Sequence, residues 1–369
     1  MKHLSLVIPL LFTGIPVAAL ETIAPIPVLA QTEERALEIV AETELAPGNI
    51  TVTPDGRIIV SMHQFFNPEY PVMELTDDGE LVPFPDPDRF SGFDAVLGIQ
   101  ADANGVVWML DNGLRSGVPP QIIGWNTQTD RLETSISLPP EAIASNSFLN
   151  DLAVDLTHQA IYIADTTRGG SPALIVVDLA TGNARRVLEN HPSVVAENVE
   201  MAIEGNPVRQ QRPDGSIVNP RIGVNPIALD PDDEWLYYGP MSGTQMYRIR
   251  TADLLDSSLE ATQLGERVET YGERPNSDGI SVDRAGHVYI TDFGENAIGV
   301  TRPDGTYQTL VSEPWLSWPD AFSFGPDGNL YGVANQLHRT PALNAGEDIA
   351  DPPFIIFRME PLAEGVVGR

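Results

Sequence analysis

The chain has 369 residues, of which 52 are acidic and 21 basic, and its formal net charge is −31. Such an acidic body repels nucleic acids and anionic lipid surfaces, so both are poor partners, whereas cations and amines are attracted. The chain has no cysteine and its only lysine is Lys2. These counts exclude cysteine nucleophiles, thiolate metal sites and, once Lys2 is removed, lysine Schiff bases.

Residues 1–30 are typical of a secretory signal peptide. Lys2 and His3 precede the apolar run 4–19, and small-residue cleavage patterns end at Ala19 and Ala30. The apolar run is short compared with the ~20 residues of a membrane span. We therefore expect a secreted or periplasmic protein, cleaved after Ala19 or Ala30, with no stable membrane insertion after cleavage. The alternative is a retained N-terminal anchor.

From residue 48 onwards, a frame of strand, tight turn and second strand recurs six times. The copies are GNITVTPDGRIIVS from Gly48, LGIQADANGVVWML from Leu97, NDLAVDLTHQAIYIAD from Asn150, NPIALDPDDEWLYYG from Asn225, DGISVDRAGHVYIT from Asp278 and DAFSFGPDGNLYGV from Asp320. They start 42 to 75 residues apart, a period typical of β-propeller blades. Second hairpins with turns such as DDG, ATG and PDG lie between them. We predict an all-β fold, a single six-bladed β-propeller domain over residues 31–369, with four antiparallel strands per blade around a central channel.

Two segments lie outside the frames. Residues 36–45 could form a short helix or an edge strand, and we favour a strand that completes the last blade and closes the ring. Residues 189–221 form an insertion between the third and fourth frames. Connections longer than about 15 residues are usually functional or disordered. We expect this insertion to lie over one face of the disc, as a lid.

The residue that enters the first strand of each frame should lie at one mouth of the channel, which we call the top. Four of these six entry residues carry side-chain oxygens, namely Asn150, Asn225, Asp278 and Asp320. Oxygens that converge from separate strands suit a hard divalent cation. The alternative is that Asn and Asp only begin strands by capping turns. We predict a metal site formed by Asn150, Asn225 and Asp278.

The second strand of each frame returns to the same face and brings further polar residues to the rim. These are His63, Asp111, Asp165, Asp292 and Asn335. Together with the entry residue Asp320, the first four are our candidates for substrate binding. For His63, a rim residue without a function is the alternative.

Several strings resemble the major royal jelly/Yellow protein family. They are FLNDLAVD, NPIALDPDDEWLYYGPMSGTQMYRI, SDGISVDRAGHVYITDFGENAIGV and SWPDAFSFGPDGNLY, and the opening PGNITVTPDGRIIVSMHQFFNP is similar to bacterial members. The resemblance covers roughly residues 40–360. It implies a secreted six-bladed propeller. Insect members of that family are linked to dopachrome conversion and to the binding of biogenic amines.

A more distant resemblance is to the gluconolactonase/senescence-marker/luciferin-regenerating propellers. Those proteins hold a divalent metal, usually calcium, at the channel top with a Glu, two Asn and an Asp. Asn150, Asn225 and Asp278 match the two Asn and the Asp, whereas Gly48 stands at the position of the Glu. Nearby Glu44 or Asp94 could substitute for it.

That resemblance implies a calcium ion that polarises a lactone carbonyl and organises a water molecule. Asp278 would be a metal ligand or the general base, and Asp165 or Asp292 would position the substrate. The sequence has no GxSxG nucleophile elbow and no HExxH motif.

Three functions remain open. The first is a metal-dependent hydrolase of lactones or similar small esters. The second is a non-catalytic protein that binds a small amine or aromatic ligand, and the third is a dopachrome-tautomerase-related isomerase.

Overall fold

Six four-stranded antiparallel sheets surround a central channel in the computed structural model, which describes residues 36–167, 170–212 and 214–369 together with Met1. The prediction of a six-bladed β-propeller with four antiparallel strands per blade is confirmed. The predicted signal peptide, apart from Met1, lies outside the described residues. No helix in the described ranges is long and apolar enough to cross a membrane.

The first three blades follow one another along the chain after a leading strand, β1 (Leu37–Thr43). Blade one contains β2 (Pro47–Val52), β3 (Ile58–Met62), β4 (Val72–Leu75) and β5 (Leu81–Pro83). Blade two contains β6 (Val96–Ala101), β7 (Val106–Asp111), β8 (Gln121–Asn126) and β9 (Arg131–Ser137). Blade three contains β10 (Leu149–Asp155), β11 (Ala160–Asp165), β12 (Ala173–Asp178) and β13 (Ala184–Val187).

The insertion comes next and forms two short hairpins. They are β14 (Ala202–Ile203) with β15 (Asn206–Pro207), and β16 (Gln210–Gln211) with β17 (Ile217–Val218).

The last three blades complete the ring. Blade four contains β18 (Val224–Leu229), β19 (Trp235–Pro240), β20 (Gln245–Arg250) and β21 (Glu269–Glu273), with the helices α1 (Thr251–Leu255) and α2 (Ala261–Gly265) before β21. Blade five contains β22 (Ser277–Val282), β23 (Val288–Asp292), β24 (Ala297–Thr301) and β25 (Tyr307–Ser312). Blade six contains β26 (Pro319–Phe324), β27 (Leu330–Ala334) and β28 (Phe354–Met359).

Strand β1 completes blade six and closes the ring. It pairs antiparallel with β28, from Leu37 opposite Met359 to Thr43 opposite Phe354. At the outer edge, the Arg358 guanidinium donates two hydrogen bonds to the Glu38 carboxylate, at 2.9 and 2.8 Å. The first and last strands of the domain are therefore held in one sheet, as we expected for residues 36–45.

Apolar side chains fill the interfaces between neighbouring blades. Six separate clusters of buried hydrophobic residues lie between blades one and two, two and three, and so on around the ring. The inner strands, which are β2, β6, β10, β18, β22 and β26, are consequently buried on both faces. This packing fixes the positions from which polar side chains enter the channel.

Every inner strand has a β-bulge at its entry. Each inserts one extra residue relative to its partner strand, between the paired residues Pro47 and Asn49, Val96 and Ile99, Leu149 and Leu152, Val224 and Ile227, Ser277 and Ile280, and Pro319 and Phe322. A bulge bends the strand and changes the direction of the side chains within it. The bulges lie where the sequence frames have their entry residues, so they shape the channel top.

The C-terminal residues of the chain close the bottom of the channel. The Gly368 amide donates to the Phe324 carbonyl at 2.9 Å, and the Phe324 amide donates to the Arg369 carbonyl at 2.7 Å. The Arg369 guanidinium donates to the Asp230 carbonyl at 2.9 Å and forms an ion pair with Asp233 at 2.5 Å. Gly368 and Arg369 therefore line the channel at this end.

The insertion lies against the top ends of blades four, five and six. The Glu204 amide donates to the Gly294 carbonyl at 3.0 Å, and the Arg209 amide donates to the Leu343 carbonyl at 3.1 Å. Buried apolar residues of the insertion pack with residues of the top loops in one cluster, which contains Met201, Ile203, Val208, Met241, Phe293, Trp318, Leu337 and Leu343. The insertion therefore covers the side of the channel mouth formed by these blades.

We predict that Gly279→Ala lowers the free energy of unfolding by about 3 kcal/mol, because a Cβ at Gly279 would lie 2.1 Å from the Asp320 carbonyl oxygen. The equivalent residue of blade six is already Ala321, so Ala321→Gly is the matched control and should cost about 1 kcal/mol. Urea denaturation measures both values. Equal losses in the two variants would contradict a close approach of blades five and six at this bulge.

Candidate functional site

The three predicted metal-site residues meet at the channel top. The Asn150 side-chain amide donates to Asn225 Oδ1, and the Asn225 amide donates to Asp278 Oδ1. These residues come from the inner strands of blades three, four and five. The side chains of three rigid strands therefore form one continuous polar chain, in agreement with their common position in the sequence frames.

The second oxygen of Asp278 is also occupied. Trp318 Nε1 donates to Asp278 Oδ2 at 2.7 Å, and the Asp278 side chain is buried, with 3% of its surface exposed. Trp318 lies immediately before β26, the inner strand of blade six. The Asp278 carboxylate is thus held by one donor at each oxygen.

Asp320 occupies the next position of the ring, on blade six. The Asn335 side-chain amide donates to Asp320 Oδ2 at 2.5 Å and to the Pro47 carbonyl at 3.0 Å, so it links blade six to blade one. The entry residues of blades one and two are Gly48 and Leu97. The polar residues of the ring therefore all lie on blades three to six.

Asp151 is a site residue that our sequence interpretation missed. The Asn49 side-chain amide donates to Asp151 Oδ1 at 2.9 Å, and both residues directly follow an entry residue. Strict strand alternation would point such residues away from the channel. The bulges change that direction. The only available signal was that two frames carry a polar residue at this second position.

A small cavity lies below the ring, inside the channel. Its volume is about 40 Å³, and its polar lining includes Asn49, Gln100, Asp151 and Arg369. Asp151 retains accessible surface because it faces this cavity, although it lies deep in the protein. Since a water molecule needs at least ~10–15 Å³ of such volume, the cavity can hold water but not a small organic substrate.

Burial raises the pKa of three carboxyl groups at this site. The pKa of Asp278 rises to about 7, because burial outweighs the hydrogen bonds from Trp318 and Asn225. The pKa of Asp151 rises to about 8 through burial and the nearby Asp278 charge. The pKa of Asp320 rises well above its usual range through burial and the charges of Asp278 and Asp151. The interactions that shift these values include no positively charged side chain of the described chain.

Two histidines near the mouth are neutral. Burial lowers the pKa of His63 to about 3, and its Nδ1 accepts the Phe65 amide at 3.2 Å, which caps a short 3-10 turn. Burial, followed by the charge of Arg339, lowers the pKa of His338 to about 4. Neither imidazole supplies a positive charge at neutral pH, so the three carboxyl groups are not compensated by them.

Asp111 and Asp165 stabilise loops in their blades. Asp111 is fully buried and accepts hydrogen bonds from the backbone amides of Asp94, Ala95 and Gly113. Asp165 is also fully buried, and it accepts the Phe148 amide at 2.9 Å and pairs with the Arg186 guanidinium. Their oxygens are engaged inside the protein, so this geometry does not support the predicted contact with a substrate.

Asp292 is buried inside blade five. The Tyr307 hydroxyl donates to its Oδ2 at 2.8 Å, and burial raises its pKa. This contact joins two strands of one sheet. As with Asp111 and Asp165, the geometry gives Asp292 a structural contact and leaves its predicted role in substrate binding without support.

The side chains of the ring offer the oxygen ligands that a hard divalent cation prefers. Asn150, Asn225 and Asp278 provide two amide groups and one carboxylate from three separate strands, and oxygen is the donor that calcium prefers. Calcium takes about six to eight oxygen ligands, so these side chains would form part of a coordination shell. Among the described residues, no three His, Asp or Glu side chains could hold a metal by themselves.

Neither predicted substitute for the missing Glu reaches the ring. Glu44 is exposed in the turn between β1 and β2. Asp94 Oδ2 accepts the backbone amides of Arg115 and Ser116, at 2.8 and 3.0 Å. The first blade therefore contributes no carboxylate at the position where the gluconolactonase-type propellers carry one.

Comparison with known proteins agrees with the fold and with the sequence motifs. The family model described as major royal jelly protein matches residues 95–340. Major royal jelly protein 1 of Apis mellifera is 24% identical over 247 residues, which cover 61% of this chain and 54% of that protein. The match thus spans about half the length of this relative.

Solved structures with the same fold include two enzymes. A luciferin-regenerating enzyme is 13% identical with a TM-score of 0.56, covering 90% of this chain and 98% of that one. A gluconolactonase from Xanthomonas campestris is 12% identical with a TM-score of 0.56, covering 89% and 90%. At these identities the likeness concerns the fold alone. Because the family model matches more than half of the sequence, the chain belongs to the major royal jelly protein family.

Proposed function

We propose that this protein is a hydrolase of lactone-type small molecules that uses a divalent cation, calcium, at the channel top. The observation that carries the proposal is the meeting of Asn150, Asn225 and Asp278 from three blades, with Asp278 held at both carboxylate oxygens. Three buried carboxyl groups without a positive partner among the described residues add a reason for a cation to bind there.

The residues of the ring would have separate roles in the hydrolysis of a lactone. A divalent cation bound by Asn150, Asn225 and Asp278 would polarise the lactone carbonyl. Asp278 has two oxygens in different surroundings, one beside Asn225 and one beside Trp318. One oxygen can bind the cation while the other accepts the proton of the attacking water. As the ring C–O bond breaks, that proton passes to the leaving alkoxide, and the product is a hydroxy acid.

The charge of the protein and the covered top face bear on substrate access. The net charge of −31 attracts cations to the surface and repels the carboxylate product. The insertion and the top loops cover the side of the channel mouth formed by blades four to six, and the cavity below the ring is too small for a substrate. We therefore propose that the insertion moves to admit the lactone, and that the mature protein acts in a secreted or periplasmic setting.

A second candidate is the binding of a small amine or aromatic molecule without catalysis. The observation that favours it is the group of carboxyl groups formed by Asp151, Asp278 and Asp320, which has no positive partner among the described residues. A cationic amine could compensate these charges in place of a metal ion. Isothermal titration calorimetry with a panel of amines tests it, and micromolar binding without turnover would replace the hydrolase proposal.

We predict that the free energy of unfolding falls between about pH 4 and pH 8 when chelator removes divalent cations. The pKa values of Asp278 and Asp151 are about 7 and about 8 in the folded protein, above the unfolded value of 3.8. The folded state therefore binds more protons than the unfolded state over this range, and stability is lost as pH rises. Urea denaturation at pH 5 and pH 8 measures the fall.

At pH 8, calcium at 100 times its dissociation constant should restore about 2.7 kcal/mol to the wild-type protein. Calcium should not raise the free energy of unfolding of Asp278→Asn, because this variant removes the only carboxylate among the three proposed metal ligands. Magnesium at the same concentration controls for nonspecific binding to an acidic surface. An equal gain in Asp278→Asn and in the wild type would contradict a calcium site at the ring.

We predict that Asp278→Asn lowers the rate of lactone hydrolysis by at least about 100-fold. The matched control is Asp304→Asn, which makes the same change in an exposed outer turn of blade five and should leave the rate unchanged. Hydrolysis of a panel of sugar and aliphatic lactones is followed by acid release. If the wild type hydrolyses none of them with any divalent cation, the hydrolase proposal is wrong.

A further inference from the structure

Trp318 is fully buried in the middle of an aromatic stack. Its indole lies parallel to the Phe293 ring, with centroids 4.4 Å apart and planes 4° apart. The His338 imidazole is also nearly parallel to the indole, with centroids 6.0 Å apart and planes 12° apart. Because the indole is fully buried among these contacts, its plane and the direction of its N–H are fixed.

The backbone at Trp318 has an uncommon conformation. Its φ is +57°, in the left-handed region, which is strained for a bulky residue and costs on the order of 1–3 kcal/mol. The Trp318 carbonyl accepts the Asn335 amide at 3.1 Å, which helps to hold this conformation. The same Asn335 donates its side-chain amide to Asp320. Such strain persists only where the surrounding contacts impose it, and here it directs the indole toward blade five.

The consequence of this direction is the hydrogen bond to Asp278. Trp318 Nε1 lies 2.7 Å from Asp278 Oδ2, while Asn225 donates to Oδ1 of the same carboxylate. A carboxylate with one donor at each oxygen cannot rotate about its Cβ–Cγ bond without losing both contacts. Packing alone would require only an apolar ring at this position. Packing alone therefore explains neither the strained backbone of Trp318 nor the direction of its N–H.

We propose that Trp318 is a positioning residue that fixes the orientation of Asp278 and leaves Oδ1 on the side of the two asparagines. This inference rests on the proposed function for its kinetic test, but the hydrogen bond itself is tested in the protein without metal or substrate. The insertion contributes to the same arrangement, because its residues Met201 and Ile203 pack in the apolar cluster that contains Trp318 and Phe293.

The kinetic test is Trp318→Phe, which keeps an aromatic ring packed against Phe293 but removes the N–H donor. We expect kcat for lactone hydrolysis to fall on the order of 100-fold with KM within two-fold, because a misdirected carboxylate affects the reaction more than binding. Trp315→Phe is the matched control, since Trp315 lies in the same loop and packs on Phe357. It should leave both constants unchanged. Equal effects of the two variants would overturn the proposal.

The test without activity uses the indole N–H signals of the apo protein in ¹⁵N NMR spectra. The chain has five tryptophans, so Trp318 can be assigned with single Phe variants of the other four if Trp318→Phe does not fold. We expect the Trp318 signal to lie downfield, to exchange slowly and to shift in Asp278→Asn, while the Trp315 signal does not move. Addition of calcium should also shift the Trp318 signal.

The two proposals fail in different ways. If the wild type hydrolyses no lactone but the Trp318 signal responds to Asp278→Asn, the positioning role stands and the hydrolase proposal fails. If the Trp318 signal is insensitive to Asp278→Asn, Trp318 is a packing residue only and the inference is wrong, whatever the activity of the protein.

Discussion

The pairing of β1 with β28 closes the ring, and the arrangement at the channel top depends on this closure. With no open edge, six inner strands must converge on one narrow axis, and neighbouring blades approach so closely that a Cβ at Gly279 would collide with the Asp320 carbonyl. The bulge at each inner strand accommodates this convergence and directs side chains into the channel. Asn150, Asn225 and Asp278 are far apart in the chain but adjacent in space for this reason.

The convergence of the inner strands places carboxyl groups close together, which costs electrostatic free energy. Asp151, Asp278 and Asp320 are brought together away from bulk water, where ionised carboxylates are poorly solvated and repel one another. By contrast, the buried Asp165 carboxylate accepts hydrogen bonds from the backbone amides of Phe148 and Thr167 and pairs with Arg186. Asp165 therefore stabilises the fold, whereas Asp151, Asp278 and Asp320 remain able to bind a proton or a cation.

The top loops and the insertion complete the site from outside the repeat. The stack of Phe293, Trp318 and His338 belongs to loops, and the apolar residues of the insertion cover it. Through the Trp318 N–H, this layer is in direct contact with Asp278. The repeated frames therefore position the oxygen-bearing side chains of the ring. The insertion and the top loops determine which part of the ring is covered and how the Asp278 carboxylate is oriented.

The sequence by itself determined the number of blades, the strand that closes the ring and the residues that meet at the channel top. These follow from a repeated frame, because equivalent positions of a closed repeat must lie at equivalent places around the axis. The convergence of Asn150, Asn225 and Asp278 could be predicted for the same reason. Asp111 and Asp165 also stand at equivalent positions, but only their hydrogen bonds could reveal that they stabilise loops.

The tertiary structure alone decided the remaining features of the site. Asp151 enters the channel because a bulge interrupts strand alternation, and no single-strand pattern contains that interruption. The hydrogen bond from Trp318 to Asp278 joins residues of two blades. It depends on a left-handed backbone conformation at Trp318, which the sequence composition does not indicate. The physical reason is common to both cases. Repeat position fixes where a residue lies around the axis, whereas side-chain direction depends on local backbone geometry and on neighbours distant in sequence.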